Sequence, residues 1–236
     1  MSVPRALSKL GVCSRAEGVR LVEAGRVRVN GRVARETSAR ISPERDLIEI
    51  DGVPIVRAER VYLALNKPRG LVTTRDDPQR RATIYQCLEG AALPFVAPVG
   101  RLDKASEGLL LLTNDSRWSS KLLDPASHVE KVYHVQVKAL IDEETIVRIA
   151  AGVRENTSGE RLDVVRVSLL RVGSRSSAWV EIVLDEGKNR HIRRLLSELG
   201  IEVLRLIRIS IGSLVLGTLP KGEWRMLTAD EMQSLA

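Results

Sequence analysis

Two stretches of this chain carry residue types that could do chemistry together. The first runs Gly100-Arg101-Leu102-Asp103-Lys104-Ala105-Ser106-Glu107-Gly108, followed by Leu109 to Leu112 and then Thr113-Asn114-Asp115. An apolar run bounded by turn residues reads as a fully buried strand. The polar loop before it is pinned by glycine at both ends and holds Asp103 near its centre, with Arg101 and Lys104 beside it. A carboxylate at the lip of a buried strand, among cations, is a plausible reactive group. The plainer alternative is an aspartate that tightens its own turn. The second stretch is Glu186 to Gly200. Read as one helix it shows two stripes: Ile192, Leu195, Leu196 and Leu199 face the core at the spacing i, i+3, i+4, i+7. Arg190, Arg193, Arg194 and Ser197 repeat that spacing on the neighbouring face. Arginines at the front of a helix oppose its dipole, which favours anions there. An aspartate or a phosphate opposite them would resolve the conflict; an exposed basic face is the alternative. An aspartate paired with arginine stays ionised. Asp103 paired with Arg193 is therefore a poor general acid and a plausible nucleophile.

These groups need elements to hold them. Tyr62-Leu63-Ala64-Leu65-Asn66-Lys67-Pro68-Arg69-Gly70 predicts a strand that ends where Pro68 removes a ladder donor. Residues 74–81 read as a loop and 84–88 as helical, and residues 116–123 predict a helix. Lys131 to Val137 alternates with period two and predicts a half-buried strand carrying Tyr133. Asp142 caps a helix that ends before Gly152. Residues 163–170, 178–184 and 204–211 predict further strands, 222–225 an edge turn, and Thr228 to Glu231 the cap of a final helix. Strands with helices between them predict an α+β fold around a mixed, largely antiparallel sheet, spanning residues 60–236.

The front of the chain differs. Ala6, Leu7 and Leu10 suggest a short helix closed by Gly11, and Ser14 to Glu17 fits a capping box opening a helix that stops near Gly25. Val27 and Val29 alternate with Arg26 and Arg28 before Asn30-Gly31, a strong hairpin signal. A strand and a turn at Asp51-Gly52 follow. Residues 1–59 thus predict a small α/β module with its linker. The chain's net charge is +7 over 236 residues. Residues 1–40 hold nine basic and three acidic side chains, so +6 of that total sits there. Charge concentrated in one small segment predicts an appendage for a polyanion, with arginine contacts to phosphate. Aromatics make up 3% of the chain, too few for a sheet of stacking rings. No apolar run approaches the ~18 residues that span a bilayer. No long apolar segment follows the first residues, so no signal peptide is expected. Cys13 and Cys87, without a partner pattern, are expected as reduced thiols in the cytoplasm. His128, His134 and His191 show no zinc spacing, and no metal is expected.

Gly-Arg-Leu-Asp, then Ser-Glu-Gly, then an apolar run ending Thr-Asn-Asp resembles the central motif of bacterial ribosomal RNA pseudouridine synthases. Asn66-Lys67-Pro68-Arg69-Gly70 resembles that family's opening motif. Ser14-Arg15, Glu23 to Val27 and Val29-Asn30-Gly31 resemble the RNA-binding module first recognised in a small-subunit ribosomal protein. The resemblance spans roughly residues 5–230. It implies that Asp103 is the nucleophile. Tyr133, in a Lys-Xaa-Tyr strand motif, would pack on the uracil and assist deprotonation at C5. Arg193 would pair with the aspartate, and Arg101 would fill the gap left by an extruded base. His191 stands where many relatives carry glutamine or glutamate, and no role is assigned to it. On the residues alone, Tyr133 is a core tyrosine with its hydroxyl at a sheet edge.

The implied reaction converts a specific uridine of ribosomal RNA to pseudouridine after base flipping, without a cofactor. Gly187-Lys188-Asn189-Arg190 and Gly222-Glu223-Trp224-Arg225 favour the large-subunit branch, with the small-subunit RNA as the alternative. A reading of another class is a non-catalytic RNA-binding assembly factor, since fold alone does not establish activity. Expected RNA contacts are Arg15, Arg20, Arg26, Arg28, Arg190 and Arg194, besides Arg101. The expected partner is ribosomal RNA or an assembly intermediate, with no membrane, and the protein is expected to be a monomer.

Overall fold

The computed structural model describes residues 1–173 and 176–235. In the N-terminal module, α1 (Val3–Lys9) carries Pro4 in its first turn, where the missing N–H would be unpaired anyway. α2 (Arg15–Glu23) is capped by Ser14, whose hydroxyl accepts from the Glu17 amide. The Glu17 carboxylate does not return to the cap; it accepts from Arg20 instead. β1 (Val27–Val29) and β2 (Arg32–Val33) flank Asn30 and Gly31, both at positive φ (50° and 77°), as this two-residue hairpin turn requires. β3 (Ile48–Ile50) and β4 (Val53–Pro54) complete a four-stranded sheet in the order β2-β1-β3-β4. Val3, Leu7, Val22, Val27 and Ile48 form its separate core.

The larger part contains β5 (Tyr62–Lys67), β6 (Ala97–Val99), β7 (Glu107–Thr113), α3 (Ser116–Leu123), β8 (Lys131–Lys138) and α4 (Glu143–Ala150). A short hairpin, β9 (Val153–Arg154) with β10 (Arg161–Leu162), leads to β11 (Arg166–Val172) and β12 (Ala178–Leu184). Then come α5 (His191–Glu198), β13 (Glu202–Ile211), β14 (Leu214–Val215), β15 (Trp224–Met226) and α6 (Ala229–Ser234). The segment 84–88 is a 3-10 turn. Nine strands form one sheet in the path β11-β12-β8-β13-β7-β5-β15, with β14 beside β13 and β6 beside β7. The pair β13–β7 is parallel and every other described strand pair of this sheet is antiparallel. The fold is thus mixed α and β around a mainly antiparallel sheet. No described helix is long and apolar enough to cross a membrane.

β7 is the spine. Leu109, Leu110, Leu111 and Leu112 are all 0% exposed. Leu110 and Leu112 enter the core that contains Leu63, Val135 and Leu195; Leu109 and Leu111 enter the opposite one with Trp118, Leu122 and Ile211. A strand buried on both faces needs a continuous apolar run, and each leucine contributes about 1.5–3 kcal/mol of burial. Gly108 lets the parallel pair close. At φ +100°, a Cβ there would lie 2.3 Å from the Arg208 carbonyl oxygen.

Two expectations need correction. The strand expected at residues 163–170 runs instead from Arg166 to Val172, because the chain just before it, Arg161–Leu162, turns aside to pair with Val153–Arg154. Residues 186–200 are not one helix. α5 starts at His191, and Arg190 sits at its N-cap in the left-handed region (φ 49°). The predicted arginine row is therefore broken at its first member. The apolar stripe holds, with Ile192, Leu195 and Leu196 buried.

Candidate active site

The loop 100–106 joins β6 to β7, and its backbone is tied from Leu102 to Ser106. Thr73 Oγ1 donates to the Leu102 carbonyl at 2.7 Å. The Gly70 amide donates to the Lys104 carbonyl at 2.7 Å. Arg193 Nη2 donates to the Ala105 carbonyl at 3.1 Å. Lys67, the last residue of β5, is completely buried, and its ammonium donates to the carbonyls of Pro68 (3.1 Å), Asp103 (3.1 Å) and Ser106 (2.9 Å). Burial pushes the Lys67 amine down to about 8, against the pull of the Asp103 carboxylate. Directly after the loop, Glu107 is buried and accepts two bonds from Arg205, at 2.7 and 3.1 Å, and one from Lys221. The strand's start is thereby anchored across the parallel junction.

So held, the loop presents the Asp103 carboxylate, about one third exposed, to a cavity of about 200 Å³. Tyr133 reaches the same cavity from β8, and Arg190, His191, Ile192 and Arg193 reach it from the start of α5. Arg101, from the loop itself, lines it too. These three separated stretches of sequence therefore meet there. Among the described residues no group of three or more His, Cys, Asp or Glu side chains converges as a metal set.

The expected Asp103–Arg193 ion pair is not formed. The cation nearest the carboxylate is Arg190, Nη1 to Oδ2 3.9 Å. The physical reason is the late start of α5: the left-handed N-cap frees Arg190 to lean over the loop, while Arg193, one turn in, is caught by the loop's backbone. Arg193 also reaches the Val203 carbonyl at 3.5 Å, and its Nε is buried without a partner. Burial, reinforced by Arg190, lowers its pKa from arginine's ordinary value, and Asp103 opposes this. The two side chains thus share one electrostatic environment without touching.

The other predicted contacts divide. Arg194 is held by two acids of the protein. Its Nη2 donates to Glu155 and Glu160, both at 2.6 Å, and it holds the Glu155 carboxyl down at about 2. The anion expected opposite the arginine row is thus supplied, for Arg194, by the protein. In the N-terminal module, Arg20 pairs with Glu17 and with Asp76 at 2.8 Å, and Arg26 pairs with Asp51 at 2.5 Å. Arg28 donates to the Gly31 carbonyl at 3.3 Å, and Arg15 is exposed. All four lie on the surface, where such pairs are worth under about 1 kcal/mol.

Sequence reasoning missed the role of Lys67, although it stands in a quoted motif. A lysine that closes an apolar strand before proline was the available signal; that it would be fully buried was not. His191 is 4% exposed and lines the cavity with neither ring nitrogen hydrogen-bonded. Burial lowers its pKa, with Glu186 opposing.

A family model described as RNA pseudouridylate synthase matches residues 61–198, and one described as S4 domain matches residues 2–47. An RNA pseudouridine synthase of Aquifex aeolicus, described as uncharacterized, is 36% identical over 99% of this chain and 92% of its own length. The ribosomal large subunit pseudouridine synthase B of Bacillus subtilis is 31% identical over 98% of this chain and 93% of its own length. The crystal structure of a pseudouridylate synthase superposes with a TM-score of 0.70 at 28% identity, covering all of both chains. With an S4 module ahead of a domain whose loop, strand and helix converge on one carboxylate, the chain belongs to the RNA pseudouridine synthases.

Proposed function

We propose that the protein isomerises one uridine of large-subunit ribosomal RNA, with Asp103 as the nucleophile. The observation that carries the reading is the meeting of Asp103, Tyr133 and Arg193, from three separated segments, at one cavity. The likeness to the Bacillus subtilis large-subunit enzyme supports the choice of RNA. The target nucleotide leaves its stack, at a cost of a few kcal/mol, and its base enters between Tyr133 and the Asp103 loop. Arg101, at the rim, takes the space that the base vacates. Asp103 adds to the ribose or the base and is later released unchanged. The N1–C1′ bond breaks, the uracil turns, and C5 bonds to C1′. The proton lost from C5, with Tyr133 assisting, is balanced by one gained at N1, so the reaction is a net isomerisation.

Arg193 clamps the loop carbonyl and supplies positive potential to the carboxylate; Arg190 supplies the closer charge. The division of labour falls at residues 59/60, with the N-terminal arginines Arg15, Arg20, Arg26 and Arg28 exchanging weak surface pairs for phosphates. The protein works as a monomer in the cytoplasm. Release of tritium from C5-labelled uridine in transcripts of each ribosomal RNA tests the reading. Native protein is expected to release it from the large-subunit transcript and Asp103→Asn to release none. Equal release by the two proteins would refute the role of Asp103, and release from the small-subunit RNA alone would refute the choice of RNA.

A further inference from the structure

Next to the catalytic cavity lies a second one, of about 490 Å³, that the proposed chemistry does not use. The two share a wall of six residues, Arg101, Tyr133 and Lys188 among them. Arg208 of β13 lines the second cavity, and in strand register it stands opposite Tyr133. It is 6% exposed. Its Nε donates to the Leu109 carbonyl at 2.7 Å, while Nη2 is buried without a partner. No described carboxylate forms an ion pair with this guanidinium. Lys131 of β8 lines the same cavity, and its ammonium donates to the Asp185 backbone carbonyl at 2.9 Å. Burial and the nearby Arg208 both lower the Lys131 pKa, against Asp185.

The acids lining this cavity are spoken for. The Asp185 carboxylate is bound by His128 Nδ1 at 2.9 Å, Glu186 by Lys188 at 2.6 Å, and Asp124 by the Ala126 amide at 3.0 Å. Two neighbouring cations, one of them almost wholly buried, thus face a cavity in which no described carboxylate forms an ion pair with either. A buried unpaired charge is costly unless something compensates it. Apolar side chains, Leu122 and Ile211 among them, complete the walls.

We propose that this cavity is an anion subsite for the RNA backbone: it holds a phosphodiester flanking the everted uridine, between Arg208 and Lys131. The wall shared through Arg101 and Tyr133 puts that phosphate one nucleotide from the reacting base. The proposal rests on the uridine-isomerisation reading for the identity of the strand, but not for the presence of the anion.

The test is the salt dependence of binding to transcripts of both ribosomal RNAs, measured for full-length native protein, Arg208→Gln, Lys131→Gln and, as a control, Arg148→Gln, an exposed cation on α4. Each lost phosphate contact should flatten the log–log slope by about 0.7 for single strands or 0.9 for duplex. We expect that change in Arg208→Gln and in Lys131→Gln, with affinity about tenfold lower at low salt, and no change in the control. Lys131→Gln carries the test should Arg208→Gln fail to fold through loss of its bond to Leu109. A Lys131→Gln slope equal to native overturns the proposal, and so does an equal fall in all three variants, which would be a general charge effect. Tritium release by the same native preparation separates the two readings. Slopes that fall as expected while native protein releases no tritium would leave the anion subsite standing and remove the isomerisation reading.

Discussion

Lys67 is the structural keystone of the Asp103 loop, and its burial makes a quantitative prediction. Its ammonium is buried among three carbonyls and has no carboxylate in hydrogen-bonding contact. The fall from lysine's ordinary 10.5 to about 8 corresponds to ~3 kcal/mol at 1.36 kcal/mol per pKa unit. Because the folded pKa lies below the unfolded one, the unfolded chain binds more protons between pH 8 and 10.5. Stability must therefore rise with pH across that window by up to ~3 kcal/mol from this group alone. Lys67→Met keeps the length of the side chain and removes the titration. It also leaves buried carbonyls unpaired, at about 1–3 kcal/mol each. Removing the buried charge offsets part of that, so a net loss of about 2 kcal/mol at pH 7 is expected. Urea denaturation of both proteins from pH 7 to 10, followed by fluorescence of Trp118, Trp179 and Trp224, measures the difference. The native protein should gain on the variant as pH rises. Parallel curves would refute the claim that a strained ammonium holds the loop. The same variant should lose roughly 100-fold in single-turnover rate, since an untethered Asp103 loop misplaces its carboxylate by an ångström or more.

Asp103→Asn should lower tritium release by at least about 10⁴-fold, the scale of losing a nucleophile, while its urea midpoint stays near native because the side chain is part-exposed. Gly108→Ala should cost at least ~2 kcal/mol in urea unfolding, or prevent folding, because its Cβ meets the Arg208 carbonyl at 2.3 Å and the backbone there is at φ +100°. Arg194→Gln should be less stable than native at neutral pH. Glu155, held at about 2 in the native protein, contributes stability above its unfolded pKa that is lost as pH falls through 2, so the native-minus-variant gap in melting temperature should shrink steadily below pH 4. A gap independent of pH would count against the Arg194–Glu155 bridge. Replacing Arg15 and Arg28 together with glutamine should flatten the salt slope of RNA binding by about 1.4–1.8, without changing the melting temperature by more than a degree or two.

Much of the architecture was legible because it is written locally. Leu109 to Leu112 announced a strand buried on both faces, Asn30-Gly31 a hairpin, and Thr228 with Glu231 a capping box whose two reciprocal bonds are formed. The motifs around Asp103 pointed to a family, and the chain belongs to it. Local signals failed at 186–200, where periodicity predicted a longer helix. Periodicity reports which side chains face the core. It does not report where the first peptide turns, and a left-handed residue at Arg190 is invisible to it.

What the sequence determined by itself was the set of elements, the basic N-terminal module and the identity of Asp103's neighbours along the chain. What only the tertiary structure decided was which charges meet. It set Arg190 rather than Arg193 nearest Asp103, turned Arg194 onto Glu155 and Glu160, and sank Lys67 and Arg208 beneath the loop and the junction strand. The reason is physical. Apolar patterning acts through neighbours three or four residues away, whereas a charge selects its partner by distance and burial, as Lys221 selects Glu107, 114 residues away.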